Sequence, residues 1–120
     1  MFSEGDQIEI IFIQELNHFS DCPTLQVREL EYIGLLNHRD VTGADISPAG
    51  DTLAIACYDD GWSYTLPDGM TWVEYLALDP SPTCELQLAE ENQRESITVT
   101  ETAYWTVSEG SSPLYYYARL

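Results

Sequence analysis

Apolar residues recur along the chain in short runs, many of them alternating with polar positions, and Gly, Pro, Asp or Ser separates one run from the next. Such runs are rich in β-branched and aromatic residues and read as strands. The expected strands are 8–16 (IEIIFIQEL), 25–33 (LQVRELEYI), 43–47 (GADIS), 52–58 (TLAIACY), 62–66 (WSYTL), 71–78 (TWVEYLAL), 84–88 (CELQL), 96–101 (SITVTE), 104–108 (YWTVS) and 114–120 (LYYYARL). A polar turn around Ser20-Asp21-Cys22-Pro23 joins the first two. Pro48-Ala49-Gly50-Asp51 is a hairpin turn, with Pro and Gly supplying the backbone angles and Asp51 a closing side chain. Asp59-Asp60-Gly61 and Pro67-Asp68-Gly69 punctuate the middle of the chain. No segment sustains a 3.6-residue apolar period long enough for a helix; residues 89–94 are expected to be a polar connector with at most one helical turn. The fold class is therefore all-β and antiparallel.

The chain also echoes itself. Residues 41–64 (VTGADISPAGDTLAIACYDDGWSY) align with 94–115 (RESITVTETAYWTVSEGSSPLY) when two turn residues are dropped. The alignment sets Ile46 against Val99, Leu53 against Tyr104 and Tyr64 against Tyr115, with a period of about 51 to 53 residues. Val41-Thr42-Gly43-Ala44-Asp45-Ile46-Ser47-Pro48, Gly50, Leu53-Ala54-Ile55 and Tyr58 form a pattern that resembles the blade motif of bacterial β-propeller proteins of the WD40-like kind. Glu95-Ser96-Ile97-Thr98, Trp105-Thr106-Val107-Ser108-Glu109-Gly110 and Pro113-Leu114-Tyr115 resemble the blade after it. Ala49 stands where such blades commonly carry Asp, and the second unit lacks the Pro-x-Gly turn. The resemblance implies antiparallel four-stranded blade repeats: residues 1–40 as the last strands of a preceding blade, 41–93 as a complete blade and 94–120 as the first strands of the next. Closing a ring takes about 4 to 8 blades, so the resemblance implies a fragment of a larger propeller, or copies that self-associate through open blade edges. Proteins of the kind it resembles are often exported, so a fragment of one is expected in the periplasm or outside the cell, and a chain complete as given in the cytoplasm.

Charge narrows the partners. Among 120 residues, 21 acids face four bases, all arginine, for a formal charge of −17. This field repels phosphate backbones and anionic lipid, so nucleic-acid binding is not expected. No apolar run reaches the length needed to span a bilayer, and the opening MFSEGDQIEI has neither the basic nor the apolar region of a secretory leader. Cys22, Cys57 and Cys84 form no CxxC or CxxH pair. Cys57 reads as a buried apolar residue, whereas Cys22 and Cys84, both near prolines, could pair if their turns meet.

Candidate chemistry lies at strand ends. His38-Arg39-Asp40 matches a kinase triplet but has no Asn five residues on, no DFG and no preceding Gly-rich loop, so it carries no such meaning. His18 and His38 read as loop histidines. Asp59 and Asp60, with Trp62, Glu95 and Glu109, are the expected ligand-binding residues: acids at strand ends and an aromatic face for a protein or carbohydrate. No cofactor is expected, and calcium is the only metal these carboxylates suggest, although Asp59-Asp60-Gly61 lacks EF-hand spacing. The leading expectation is a non-catalytic binding module. The alternatives are a calcium-assisted, phosphoesterase-like propeller using Asp59, Asp60, Glu95 and Glu109, and a small acidic DNA mimic.

Overall fold

A computed structural model describes residues 7–12, 30–91, 93–110 and 114–120. The turn around Ser20, His18, Cys22 and the segment 13–29 lie outside the described residues. The fold is mostly β and its sheets are antiparallel, and no sheet closes on itself among the described residues. Strands β1 (Gln7–Phe12) and β2 (Glu31–Asn37) form a two-stranded ribbon. Next comes a four-stranded meander: β3 (Val41–Ile46), β4 (Thr52–Cys57), β5 (Gly61–Thr65) and the two-residue β6 (Cys84–Glu85). A three-stranded meander, β7 (Arg94–Val99), β8 (Ala103–Ser108) and β9 (Tyr115–Ala118), completes the fold.

The layers stack through the alternation of β4. Leu53, Ile55 and Cys57 point to one side, where they join Leu36 of β2, Tyr64, Trp72 and Leu76 in the larger core. Ala54 and Ala56 point to the other, against Ile97 and Val99 of β7. Small residues allow that second contact to be close: a Cβ added to Gly43 would sit 3.0 Å from the Ser96 Cα and 3.2 Å from the Ile97 nitrogen. The Asp45 carboxylate accepts the Val99 N–H at 2.8 Å, and Glu101 accepts the Ala49 N–H at 2.7 Å, so polar contacts frame the apolar one.

The two meanders repeat each other in detail. Ile46 pairs with Leu53 and Val99 with Tyr104, each at the rung beside the turn. A register shift falls at the same place in both, between Val41 and Gly43 and between Arg94 and Ser96. The residues just before β3 and β7, Asp40 and Gln93, both adopt left-handed backbone, at φ 53° and 55°, although neither is glycine. Their carbonyls accept matching N–H groups, from Tyr58 and Glu109. In each turn a hydroxyl caps the returning strand, Ser47 for Thr52 and Thr100 for Ala103. One pairing from the sequence shifts: Leu53 lies opposite Tyr64 and Tyr104 opposite Tyr117, so Tyr64 corresponds to Tyr117 and Trp62 to Tyr115.

The segment expected as strand 71–78 contains a helix, α1 (Trp72–Leu76). Thr71 and Glu74 form a reciprocal capping box, with the Thr71 hydroxyl accepting the Glu74 N–H and Glu74 accepting the Thr71 N–H. Trp72 and Leu76, one helical turn apart, enter the core together, and the Trp72 indole N–H reaches the Gly50 carbonyl at 2.8 Å. The helix packs beside β2 and interrupts the path from β5 to β6. The expected strand 84–88 shortens to Cys84–Glu85, paired with Ser63 and Trp62 of β5, and the Leu86 N–H still reaches the Gly61 carbonyl at 2.8 Å.

Candidate functional site

The chain leaving β2 and the corner between β4 and β5 meet at one end of the stack. There a depression of about 490 Å³ is lined by Asn37, His38, Arg39, Asp60 and Trp62. His38 is not a solvated loop histidine: its ring lies half-buried on Trp62, with centroids 5.7 Å apart and planes 30° from parallel. Its Nε2 is 2.7 Å from the Tyr64 hydroxyl. Burial pushes the Tyr64 phenol up to about 12, with neighbouring Tyr75 and Asp79 adding to the shift, so it remains an O–H able to donate to a neutral imidazole. Burial also lowers the His38 pKa, and the Asp60 charge opposes this only in part. At neutral pH the cleft therefore holds an uncharged imidazole, an indole, an amide, a guanidinium and a carboxylate.

Cys57 lies at the end of β4, near this site. Burial and the adjacent Asp60 push its thiol up to about 12, which makes it a poor nucleophile. Cys84 is exposed.

Of the five expected ligand-binding residues, Asp60 and Trp62 enter the cleft. Asp59 is exposed in the same corner but is not among the lining residues. Glu95 and Glu109 are exposed at the ends of β7 and β8, on the second meander. Among the described residues no three His, Cys, Asp or Glu side chains gather as a metal group. His38 and Arg39 were the residues that sequence reasoning passed over. No local signal marks them, because the His38-Arg39 corner meets Trp62 and Tyr64 only through a fold contact across more than twenty residues of chain.

The repeat shows what the second meander makes of the same position. His38 and Tyr64 correspond to Glu91 and Tyr117, and the Tyr117 hydroxyl donates to Glu91 at 3.1 Å. Instead of an open cleft, this place holds a buried ion pair. Glu91 accepts from Arg94 Nε at 2.9 Å, Thr106 at 2.7 Å and Ser108, and both charged side chains are almost wholly enclosed. Arg94 also donates to the carbonyls of Cys57 and Ala89 at 2.7 Å, and to those of Asp60 and Tyr58 at 3.3 and 3.4 Å. It thus clamps the corner of the first meander to the start of the second. Burial alone would raise the Glu91 carboxyl, but the hydrogen bonds of Ser108, Thr106 and Arg94, with the Arg94 charge, hold it below the usual range.

A second hollow, of about 720 Å³, opens between β6 and β9 and includes Ser63, Cys84, Tyr104 and Arg119. Its one base is already committed: Arg119 donates to the Thr100 carbonyl and to Thr52, and lies 5.4 Å above the Tyr104 ring. The cleft at His38 gathers an indole, an imidazole and two of the expected ligand-binding residues, Asp60 and Trp62, and on that ground is the better candidate. No helix among the described residues is long and apolar enough to cross a membrane. No family model, curated protein or solved structure matches the chain.

Proposed function

We propose that this chain is a non-catalytic binding module of β-propeller type, and that it takes a carbohydrate in the cleft formed by Asn37, His38, Arg39, Asp60 and Trp62. Residues 1–40 close one unit, 41–93 form a complete one and 94–120 open the next. The matched rungs, left-handed corners and stacked antiparallel meanders support the repeat on which this reading rests. The observation that carries the ligand assignment is the convergence of an indole with amide, carboxylate and guanidinium groups in one depression. An aromatic face covers the apolar side of a pyranose ring, and fixed polar groups beside it satisfy the hydroxyls. The binding role fits a site whose nearby thiol is held protonated and whose imidazole is tied to a phenol, with no activated nucleophile in the cleft.

The test is a titration of the indole NMR signals with neutral and acidic pyranose oligosaccharides. The Trp62 signal should move in a saturable way with at least one of them, and Trp62→Ala and Asp60→Asn should each weaken that binding by about tenfold or more, a loss of about 1.4 kcal/mol. No shift with any sugar at millimolar concentration would remove the carbohydrate reading.

A further inference from the structure

The carbohydrate reading of the His38 cleft leaves the charge of the ligand open, and the depth of each charged group sets it. Asp60 is half-buried in the lining, whereas Arg39 is exposed at its rim and Asp40 and Asp59 are exposed beside it. At physiological salt a charge in open water is screened within about 8 Å, while one held in a partly desolvated wall is screened far less. The groups next to Asp60 do not cancel it. His38 is neutral, since burial lowers its pKa by more than the Asp60 charge raises it, and Tyr64 keeps its proton. The Arg94 guanidinium, which donates to the Asp60 carbonyl, is matched by Glu91. At the Cys57 thiol, which burial pushes up first of all, the Asp60 charge adds more than the Arg94 charge takes away. The inner part of the cleft is therefore negative, on a chain whose formal charge is −17.

Asp60 and Trp62 stand two residues apart at the start of β5 and line the same depression. His38 stacks on Trp62 at 5.7 Å and is itself held by the Tyr64 hydroxyl at 2.7 Å, so the indole is fixed in orientation. A ring laid on that indole has the carboxylate within reach of one of its substituents. A hydroxyl at that place gives a bond from a neutral donor. A protonated amine gives one in which both partners are charged, about twice as strong as a neutral bond, and sets a cation beside an aromatic face. A carboxylate or sulfate at that place meets Asp60 with like charge, in a field that drives anions from the whole chain. Resting on the carbohydrate reading, we propose that the cleft selects a pyranose carrying a free amine, with the ammonium on Asp60 and the ring on Trp62, over the same sugar in N-acetylated or acidic form. Arg39 is the group an acidic sugar would seek, so an acidic arm of the test weighs it directly against Asp60.

The Trp62 indole NMR signal of the full chain is followed with a glucosamine disaccharide, its N-acetylated counterpart and a uronic-acid disaccharide. The pH is held at about 6.5, where the amine is largely protonated and the folded His38 largely is not. The amine form should bind more tightly than the N-acetylated form by about tenfold or more, and the acidic form should bind least. Because a cation is drawn to any part of so acidic a surface, two variants separate the cleft from the coat. Asp60→Asn should remove most of the preference for the amine. Asp68→Asn, which deletes the same charge from the exposed Pro67-Asp68-Gly69 turn, should leave it within about twofold. The comparison among sugars in the wild-type chain decides the matter even if Asp60→Asn fails to fold. Equal or tighter binding of the N-acetylated sugar, tightest binding of the uronic acid, or equal losses in the two variants would overturn the amine assignment. In each of those cases saturable movement of the Trp62 signal would leave the carbohydrate reading standing; no movement with any of the three sugars would remove both.

Discussion

Replacing Arg94 by Met should be among the most damaging single changes available to this chain. The guanidinium is 1% exposed; it meets Glu91 and four backbone carbonyls drawn from both sides of the joint between meanders. Met keeps much of the volume but removes every donor. Glu91 would remain enclosed, with only Thr106, Ser108 and Tyr117 to hold its charge. Breaking one side of such a buried pair costs about 3–5 kcal/mol, mostly the penalty of the charge left behind. Net stability for a domain is only about 5–15 kcal/mol, so the variant should be marginal. With a urea slope of about 1.5 kcal/mol/M, the unfolding midpoint should fall by about 2–3 M with the slope unchanged. Glu91→Gln combined with Arg94→Met should recover at least about 1 kcal/mol relative to the sum of the two single changes, because the stranded charge is gone. The wild-type Glu91 carboxyl lies below its unfolded value, so its contribution is complete above about pH 4.5 and is lost as pH falls through the lower folded pKa. Without Arg94 that loss should begin at higher pH. A midpoint shift below about 0.5 M, or strictly additive single changes, would refute the clamp.

Neighbouring features have consequences of their own. Gly43→Ala should destabilise by about 1–3 kcal/mol in urea unfolding, because its Cβ meets the backbone of Ser96 and Ile97, which cannot turn aside as a side chain can. The folded His38 pKa lies below its unfolded value, so between the two the unfolded chain binds the extra proton: stability should decline as pH falls below about 6.5, and His38→Gln should remove that component of the slope. In native protein at pH 8, thiol labelling mapped by mass spectrometry should modify Cys84 readily and Cys57 only on unfolding; comparable labelling of both would contradict the burial of Cys57.

The repeat was legible because it is written in strand alternation and turn residues. Ile46, Leu53, Val99 and Tyr104 could be matched by order alone, and the two extra residues of the Pro48–Asp51 turn explain the gap between the units. The Tyr64–Tyr115 match slipped because Tyr115, Tyr116 and Tyr117 are chemically alike; only the register distinguishes Tyr117. Helix α1 was hidden by its aromatic and β-branched composition, although Thr71 and Glu74 carry the spacing of a capping box. Asp60 and Trp62 were found as strand-end chemistry, but His38 reaches them through a fold contact between the end of β2 and β5 that sequence distance conceals. Arg94 and Glu91 looked like parts of a polar connector, since spacing alone does not distinguish a solvated i,i+3 pair from one enclosed between sheets.

The claim on which the rest depends is that two equivalent meanders stack through Ala54 and Ala56 on Ile97 and Val99. Methyl NOE spectroscopy tests it directly. Cross-peaks are expected from the Ala54 and Ala56 methyls to those of Ile97 and Val99, and none from Leu53 or Ile55 to Val107. Ala54 and Ala56 methyls without contacts to β7, or Ile97 and Val99 in contact with Leu53 and Ile55 instead, would contradict it.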